Sequence, residues 1–248
     1  MSTDRKRIAI VGATSGIAEA CARIWADEGG RDFVLYGRRA EALESISADL
    51  RVRDPKAEVI PVVADLADHG GIDALVARAQ GDWPLDTVLI AFGVLPDQAT
   101  LQTDTEALAR SLAVNALAPA LWAEAFARSA GSAGTRIAII GSVAGDRGRK
   151  SNYAYGAAKG LVERYVEGMQ HRFASGGPVP VLIKPGPTRT AMTAHMDQAK
   201  MAPVEKVARE IIAGIAKGKA VIYTPAKWLT IMAMIRNLPR ALFHRMDI

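Results

Sequence analysis

The chain has 248 residues, half of them hydrophobic and 6% aromatic, a length and composition that suit one large, soluble α/β domain. A single cysteine, Cys21, excludes a disulfide framework and fits a reducing compartment, and His69, His171, His195 and His244 show no metal-ligand spacing, so no metal site is expected. The whole excess charge of +5 lies beyond residue 216, where six Lys or Arg face the single acid Asp247; this excludes a nucleic-acid surface spread over the domain and marks a basic carboxyl-terminal segment.

The polar start from Met1 to Arg7 reads as no signal peptide, so a cytoplasmic protein is expected. Short apolar, β-branched runs then alternate with Ala-rich helical stretches. Strands are predicted at Arg7–Val11, Phe33–Tyr36, Val59–Val63, Thr87–Ala91, Arg136–Gly141, Val179–Lys184 and Ala220–Tyr223. Helices are predicted at Ile17–Glu28, Ala40–Leu50, Glu106–Ser129, Ala154–Phe173 and Glu205–Ala216. This alternation predicts a single doubly wound α/β domain over 1–248, with a mostly parallel seven-stranded sheet and helices on both faces.

The first strand runs through a glycine turn into a helix, "IAIVGATSGIAEA". Gly12 and Gly16 let backbone approach a phosphate, and the helix amino terminus that follows favours an anion. The second strand ends "VLYGRR", with Gly37 where an NAD-binding chain would place an acid for the ribose 2′-hydroxyl. Arg38 and Arg39 follow, and a guanidinium there accommodates a 2′-phosphate, so the expected cofactor is NADP(H). Asp65, closing the third strand in "VVADL", is placed for the adenine edge.

Further along, Asn115 interrupts an apolar helical face in "AVNALAP", where it can hold a water on a proton path or mark a kink promoted by Pro119. Ser142 closes the strand "RIAIIGS", and its hydroxyl can hold a carbonyl oxygen. In "SNYAYGAAKG" only Tyr155 has a lysine four residues on, Lys159, so these two share a helix face and Tyr153 points elsewhere. A nearby ammonium stabilises phenolate and is expected to lower the Tyr155 pKa toward working pH, which suits a general acid/base.

In order along the chain, Gly-x3-Gly, Asp65, Asn115, Ser142, Tyr155-x3-Lys159 and "KPGPTRT" resemble the short-chain dehydrogenase/reductase family from end to end. The resemblance implies a Rossmann-like fold, a catalytic set of Asn115, Ser142, Tyr155 and Lys159, and a homodimer or homotetramer. It implies a cofactor-binding set of Gly12, Thr14, Ser15, Gly16, Ile17, Arg38, Arg39, Asp65, Leu66, Gly93, Tyr155, Lys159, Pro185, Gly186 and Thr188. Lys159 would grip the nicotinamide ribose, and Pro185, Gly186 and Thr188 would border the nicotinamide. Two departures stand out. Ala18 replaces a usual glycine and is expected to narrow the approach to the pyrophosphate. Ile90-Ala91-Phe92-Gly93 replaces Asn-Asn-Ala-Gly and removes amides that brace the central strand. Segments such as "AFGVLPD", "GDRGRKSNYAYGAAKG" and "NLPRALFHRMDI" are similar to keto-pentose reductases acting on decaprenyl-phosphate-linked sugars.

The loop before Tyr155 carries Arg147, Arg149 and Lys150, which would give an anionic substrate group partners, bidentate at the arginines, or equally stand as a solvated loop. Met192, Met196 and Met201 suit either a mobile lid, with Met192 on the substrate, or core filling. From Lys227 to Met246 apolar residues led by Trp228 interleave with Arg and Lys, and Pro239 divides the segment into two short helical pieces. No run there reaches the ~20 residues of a spanning helix. The segment fits peripheral contact with an anionic membrane at its inner face, and equally a subunit interface. Function thus reads as reduction of a small-molecule or lipid-linked carbonyl compound. The alternatives are a 3-oxoacyl or other small-ketone reductase, and a nucleotide-bound regulatory module without turnover.

Overall fold

The computed structural model describes residues 5–80, 84–130 and 134–246. Seven strands, β1 (Lys6–Val11), β2 (Arg31–Gly37), β3 (Val59–Val63), β4 (Thr87–Ile90), β5 (Arg136–Ile140), β6 (Val179–Pro185) and β7 (Val221–Thr224), form one sheet in the order β3-β2-β1-β4-β5-β6-β7. Every pairing is parallel, as in Ile8 beside Phe33 on one side and beside Thr87 on the other. The sequence expectation of a mostly parallel sheet therefore becomes an entirely parallel one.

Both sheet faces are buried, which explains why the strands read as continuous apolar runs rather than alternating ones. Ile8, Ile10, Phe33 and Leu35 point to one face, while Ala9, Val11, Val34 and Tyr36 point to the other. The first face is covered by α1 (Gly16–Asp27), α2 (Ala40–Arg53) and, further along the chain, α8 (Val204–Ala216) through Trp25, Leu43 and Ile211. The second is covered by α3 (Ile72–Gln80), α6 (Ala118–Ser129) and α7 (Tyr153–Arg172) through Val76, Trp122, Phe126 and Val162. Trp122 is fully buried, and its indole N–H donates to the Leu66 carbonyl at 3.0 Å, so its polar edge is satisfied.

The predicted helix Glu106–Ser129 is not continuous. After the short α4 (Gln98–Thr103), α5 (Thr105–Leu112), capped by Asp104, passes into a π-helical turn at Ala113–Leu117 before α6. Pro119 has no N–H for the Asn115 carbonyl, and the amide of Ala118 reaches back to Ala113 instead. The tail forms α9 (Lys227–Asn237) and α10 (Arg240–Phe243), split at Pro239. Strand order reverses between β1 and β4, so the crevice at their carboxyl ends is where a doubly wound sheet presents its ligands.

Candidate active site

A cleft of about 700 Å³ opens at this reversal. Its first wall is the β1–α1 turn: Gly12, Thr14, Ser15, Gly16 and Ile17 line it. Gly12 has φ of +89°, and a Cβ there would lie 2.7 Å from the Phe92 Cβ, so conformation and space both demand glycine. Ser15 caps α1, accepting from the Ala18 amide at 3.4 Å. Ala18 is wholly buried in the core and absent from the lining, so the expected narrowing of the phosphate approach does not occur; the extra methyl is taken up by packing. Gly37, Arg38 and Arg39 line the cleft past β2, with both arginines exposed. After β3, Leu66 lines it, but Asp65 is exposed outside the lining and accepts from the Ala67 amide at 3.1 Å.

The opposite end gathers groups from four segments. Ser142, just past β5, accepts from the Ala144 amide at 3.1 Å, and its hydroxyl lies close enough to Tyr155 to favour the phenolate. Tyr155 and Lys159 lie one turn apart on α7 and both line the cleft, whereas Tyr153 is 46% exposed on another face. Lys159 is buried, donates to the Ile140 carbonyl at 2.9 Å and sits 5.8 Å from the Tyr155 ring centroid. Burial pushes the Tyr155 phenol up to about 12, opposed by the Ser142 bond, and pushes Lys159 down to about 8. The expected lowering of Tyr155 by Lys159 is therefore corrected: desolvation of the buried phenol outweighs the Ser142 hydroxyl.

Asn115 does not line the cleft. It is fully buried behind it, accepting from the Val94 amide at 2.9 Å and donating to Ser111 at 3.3 Å. Its amide thus braces the segment after β4 at Val94, near the place where the asparagines are missing. Gly93, Pro185, Gly186 and Thr188 line the cleft, and Thr188 donates to the Gly186 carbonyl at 2.9 Å.

The three loop cations part company. Arg149 lines the cleft beside Asn152; one of its terminal nitrogens makes a long 3.4 Å bond to the Val143 carbonyl, while its buried Nε and the buried Asn152 Oδ1 have no partner. Arg147 turns away from the cleft, against expectation. It donates to the carbonyls of Ile235 and Leu238 at the end of α9, and its guanidinium stacks 3.8 Å over the Phe243 ring. Lys150 is exposed and outside the lining. Met192 and Met196 stand half-exposed on the cleft lip, and Met201 is core.

The short chain dehydrogenase family model matches residues 6–201 of this chain. The chain belongs to the short-chain dehydrogenase family. It is 31% identical over 255 residues to an uncharacterized oxidoreductase of Mycobacterium tuberculosis, with 96% of each chain covered. It is 26% identical over 244 residues to an uncharacterized oxidoreductase of Streptomyces coelicolor, covering 97% of this chain and 96% of that one. A solved short-chain dehydrogenase from Sphingobium yanoikuyae in complex with NADPH superposes with a TM-score of 0.81 at 24% identity, over 95% of this chain and 97% of that one. One from Burkholderia cenocepacia in complex with NADP gives 0.83 at 21% identity, over 99% and 98%. Against this short-chain dehydrogenase frame, the sequence reading missed Phe92, Asn152 and Thr190, all on the cleft wall. A Cβ on Gly16 would lie 3.1 Å from the Thr190 methyl, so the segment after β6 closes over the glycine turn. Thr190 ends the quoted "KPGPTRT" stretch, but its approach to Gly16 joins residues far apart in the chain and has no local signal.

Proposed function

We propose that this short-chain dehydrogenase reduces a ketone to a secondary alcohol with NADPH, with Tyr155 as the proton donor at the carbonyl oxygen. The observation that carries this reading is the meeting of Ser142, Tyr155 and Lys159 at one end of a cleft whose other end is the glycine turn with Arg38 and Arg39. The donor set fits a phosphorylated dinucleotide. The amino end of α1, with Thr14, Ser15, Gly16 and Ile17, would hold the diphosphate, and Arg38 and Arg39 the 2′-phosphate, with no acid at Gly37 to repel it. Leu66 would face the adenine, with the exposed Asp65 at its edge. Lys159 would hold the ribose, and Gly93, Pro185, Gly186 and Thr188 would border the ring. Solved members carrying NADPH and NADP support that choice. When bound, the nicotinamide supplies the hydride.

The residues of the chain do the rest. Ser142 orients the carbonyl oxygen and stabilises the negative charge that grows on it. Tyr155, with a pKa raised to about 12, is protonated at neutral pH and remains more acidic than an alkoxide, so it serves as acid in the reducing direction. Lys159 returns positive charge to a forming phenolate. Asn115 holds the segment after β4 in place at Val94, behind Gly93, rather than presenting its amide to the cleft.

The substrate reading is a phosphorylated or lipid-linked keto sugar. Arg149 offers a partnerless, partly buried donor to an anion, and Asn152 Oδ1 offers an acceptor to a hydroxyl, within reach of the same cleft. A peripheral contact with anionic lipid through the tail accompanies this reading. It is tested by following NADPH and NADH consumption with paired ketones, one neutral and one phosphorylated. NADPH with the phosphorylated member should be preferred, and Arg149→Met should raise KM for that member alone by about tenfold or more. Equal use of both members by the wild type defeats the anion assignment, and no ketone-dependent oxidation of NADPH defeats the reductase.

A further inference from the structure

The active half of the molecule holds one buried cation that the reaction does not use. Lys184 lies in β6 directly before Pro185, within the apolar run "VLIKP", and its side chain is 1% exposed. Its ammonium pairs with Asp146, four residues after Ser142, and with Glu163 on α7 at 2.8 Å. The Asp146 carboxylate is wholly buried and also accepts from the Tyr223 hydroxyl on β7 at 3.1 Å. Burial opposes the charge on Lys184, but the bonds to Asp146 and Glu163 outweigh it and hold the pKa above its ordinary value. A buried cation between two carboxylates is a poor way to gain stability, since apolar residues of the same volume hold a core at least as well.

What the cluster does is join the three segments that build the chemical end of the cleft. Glu163 lies one turn beyond Lys159 and two beyond Tyr155 on the same helix face. Asp146 ends the short helical turn that begins after Ser142, and Lys184 leads into Pro185 and Gly186. At two glycines loop and helix meet with no side chain between them. A Cβ on Gly145 would lie 2.9 Å from the Lys159 carbonyl carbon, and one on Gly156 2.9 Å from the Ala144 oxygen. Backbone meets backbone there, so even a small slide of the loop would carry Ser142 away from the phenol, and the ion pairs tie the loop to α7 and β6 against such a slide. We propose that Lys184, with Asp146 and Glu163, is a positioning cluster that locks the Ser142 loop in register with Tyr155 and Lys159. This rests on Ser142 and Tyr155 being the reacting pair.

The test compares the full-length wild type with Lys184→Met, with Tyr223→Phe, and with the triple variant D146N/E163Q/K184M, which removes all three charges of the cluster together, Arg164 keeping its pair with Glu167. Turnover of a neutral ketone with NADPH is read beside NADPH affinity, melting temperature and amide exchange over residues 143–150. In Lys184→Met and in the triple variant kcat should fall about 10- to 100-fold, as expected for a misplaced reacting group, with NADPH affinity held. Exchange over residues 143–150 should quicken in both, and in Tyr223→Phe to a lesser degree. The triple variant should regain the melting temperature lost in Lys184→Met without regaining kcat. A kcat that returns together with the melting temperature means the cluster is merely structural and overturns the proposal, as does unchanged exchange over 143–150. If Lys184→Met does not fold, the triple variant and Tyr223→Phe give the same readouts. Full activity in Tyr155→Phe would refute the reacting pair instead, and the exchange rates would still decide whether the cluster holds the loop.

Discussion

Tyr155 and Tyr153 differ by two positions, and that difference decides which one has a lysine on its helix face and a place in the cleft. Tyr155→Phe should therefore lower turnover by about 100- to 10,000-fold, the usual worth of a positioned acid, while NADPH titration remains nearly unchanged. Tyr153→Phe should be close to wild type in the same assay. Lys159, depressed to about 8, carries its charge below that pH and loses it above. The rate of reduction should fall as pH rises through about 8, and in Lys159→Met that limb of the profile should vanish. The unfolded chain holds this proton up to about 10.5, so between these values it binds more protons than the folded one and stability from this group rises with pH. Arg38→Asp should move preference from NADPH toward NADH, by removing a phosphate partner and adding an acid that repels it. A wild type that already prefers NADH would defeat that argument. The tyrosine, lysine and serine were legible in the sequence because spacing on a helix and at a strand end is local. The direction of the Tyr155 shift was not, since burial is set by everything packed around the ring.

At the scale of elements, all seven strands were legible, because runs such as Ile8–Val11 and Phe33–Tyr36 are buried on both faces and stay apolar throughout. The break inside Glu106–Ser129 carried its signal in Pro119, but the π-turn that results depends on how the helix settles around Asn115. The joint between the Ser142 loop and α7 was illegible, since Gly145 and Gly156 look in sequence like ordinary turn and helix glycines. Gly156→Ala offers a clean test because two effects oppose each other. Helix propensity favours alanine by about 1 kcal/mol. The new methyl would lie 2.9 Å from the Ala144 carbonyl oxygen, and backbone that cannot yield makes such overpacking cost about 1–3 kcal/mol. The clash should win. Urea denaturation should show a less stable protein, and kcat should drop with it; a variant more stable than wild type would mean the loop is free to move away.

At the scale of the whole molecule, the basic tail packs onto the active half of the chain. The Trp228 ring sits where a Cβ on Gly186 would be, Met232 is wholly buried, and Phe243 lies under Arg147. These side chains belong to the chain's own packing, whereas the sequence left the segment equally open to membrane contact and to a subunit interface. Truncation at residue 227 would uncover the Gly186 wall of the cleft and so confuse membrane contact with loss of the site. What remains outward is Leu229, Met234 and Leu242, each more than half exposed, among the exposed cations Lys227, Arg236, Arg240 and Arg245. No helix among the described residues is long and apolar enough to cross a membrane. On the membrane reading proposed above, four cations at about 1 kcal/mol each near an anionic surface, with three apolar side chains, would give reversible and salt-sensitive attachment. Wild type should sediment with vesicles containing phosphatidylserine at low salt and be released at high salt. The triple change Leu229→Ser, Met234→Ser and Leu242→Ser should weaken that attachment while turnover of a soluble ketone stays at the wild-type level. If the triple variant instead changes the sedimentation coefficient and leaves vesicle binding as it was, the same face is a contact between subunits.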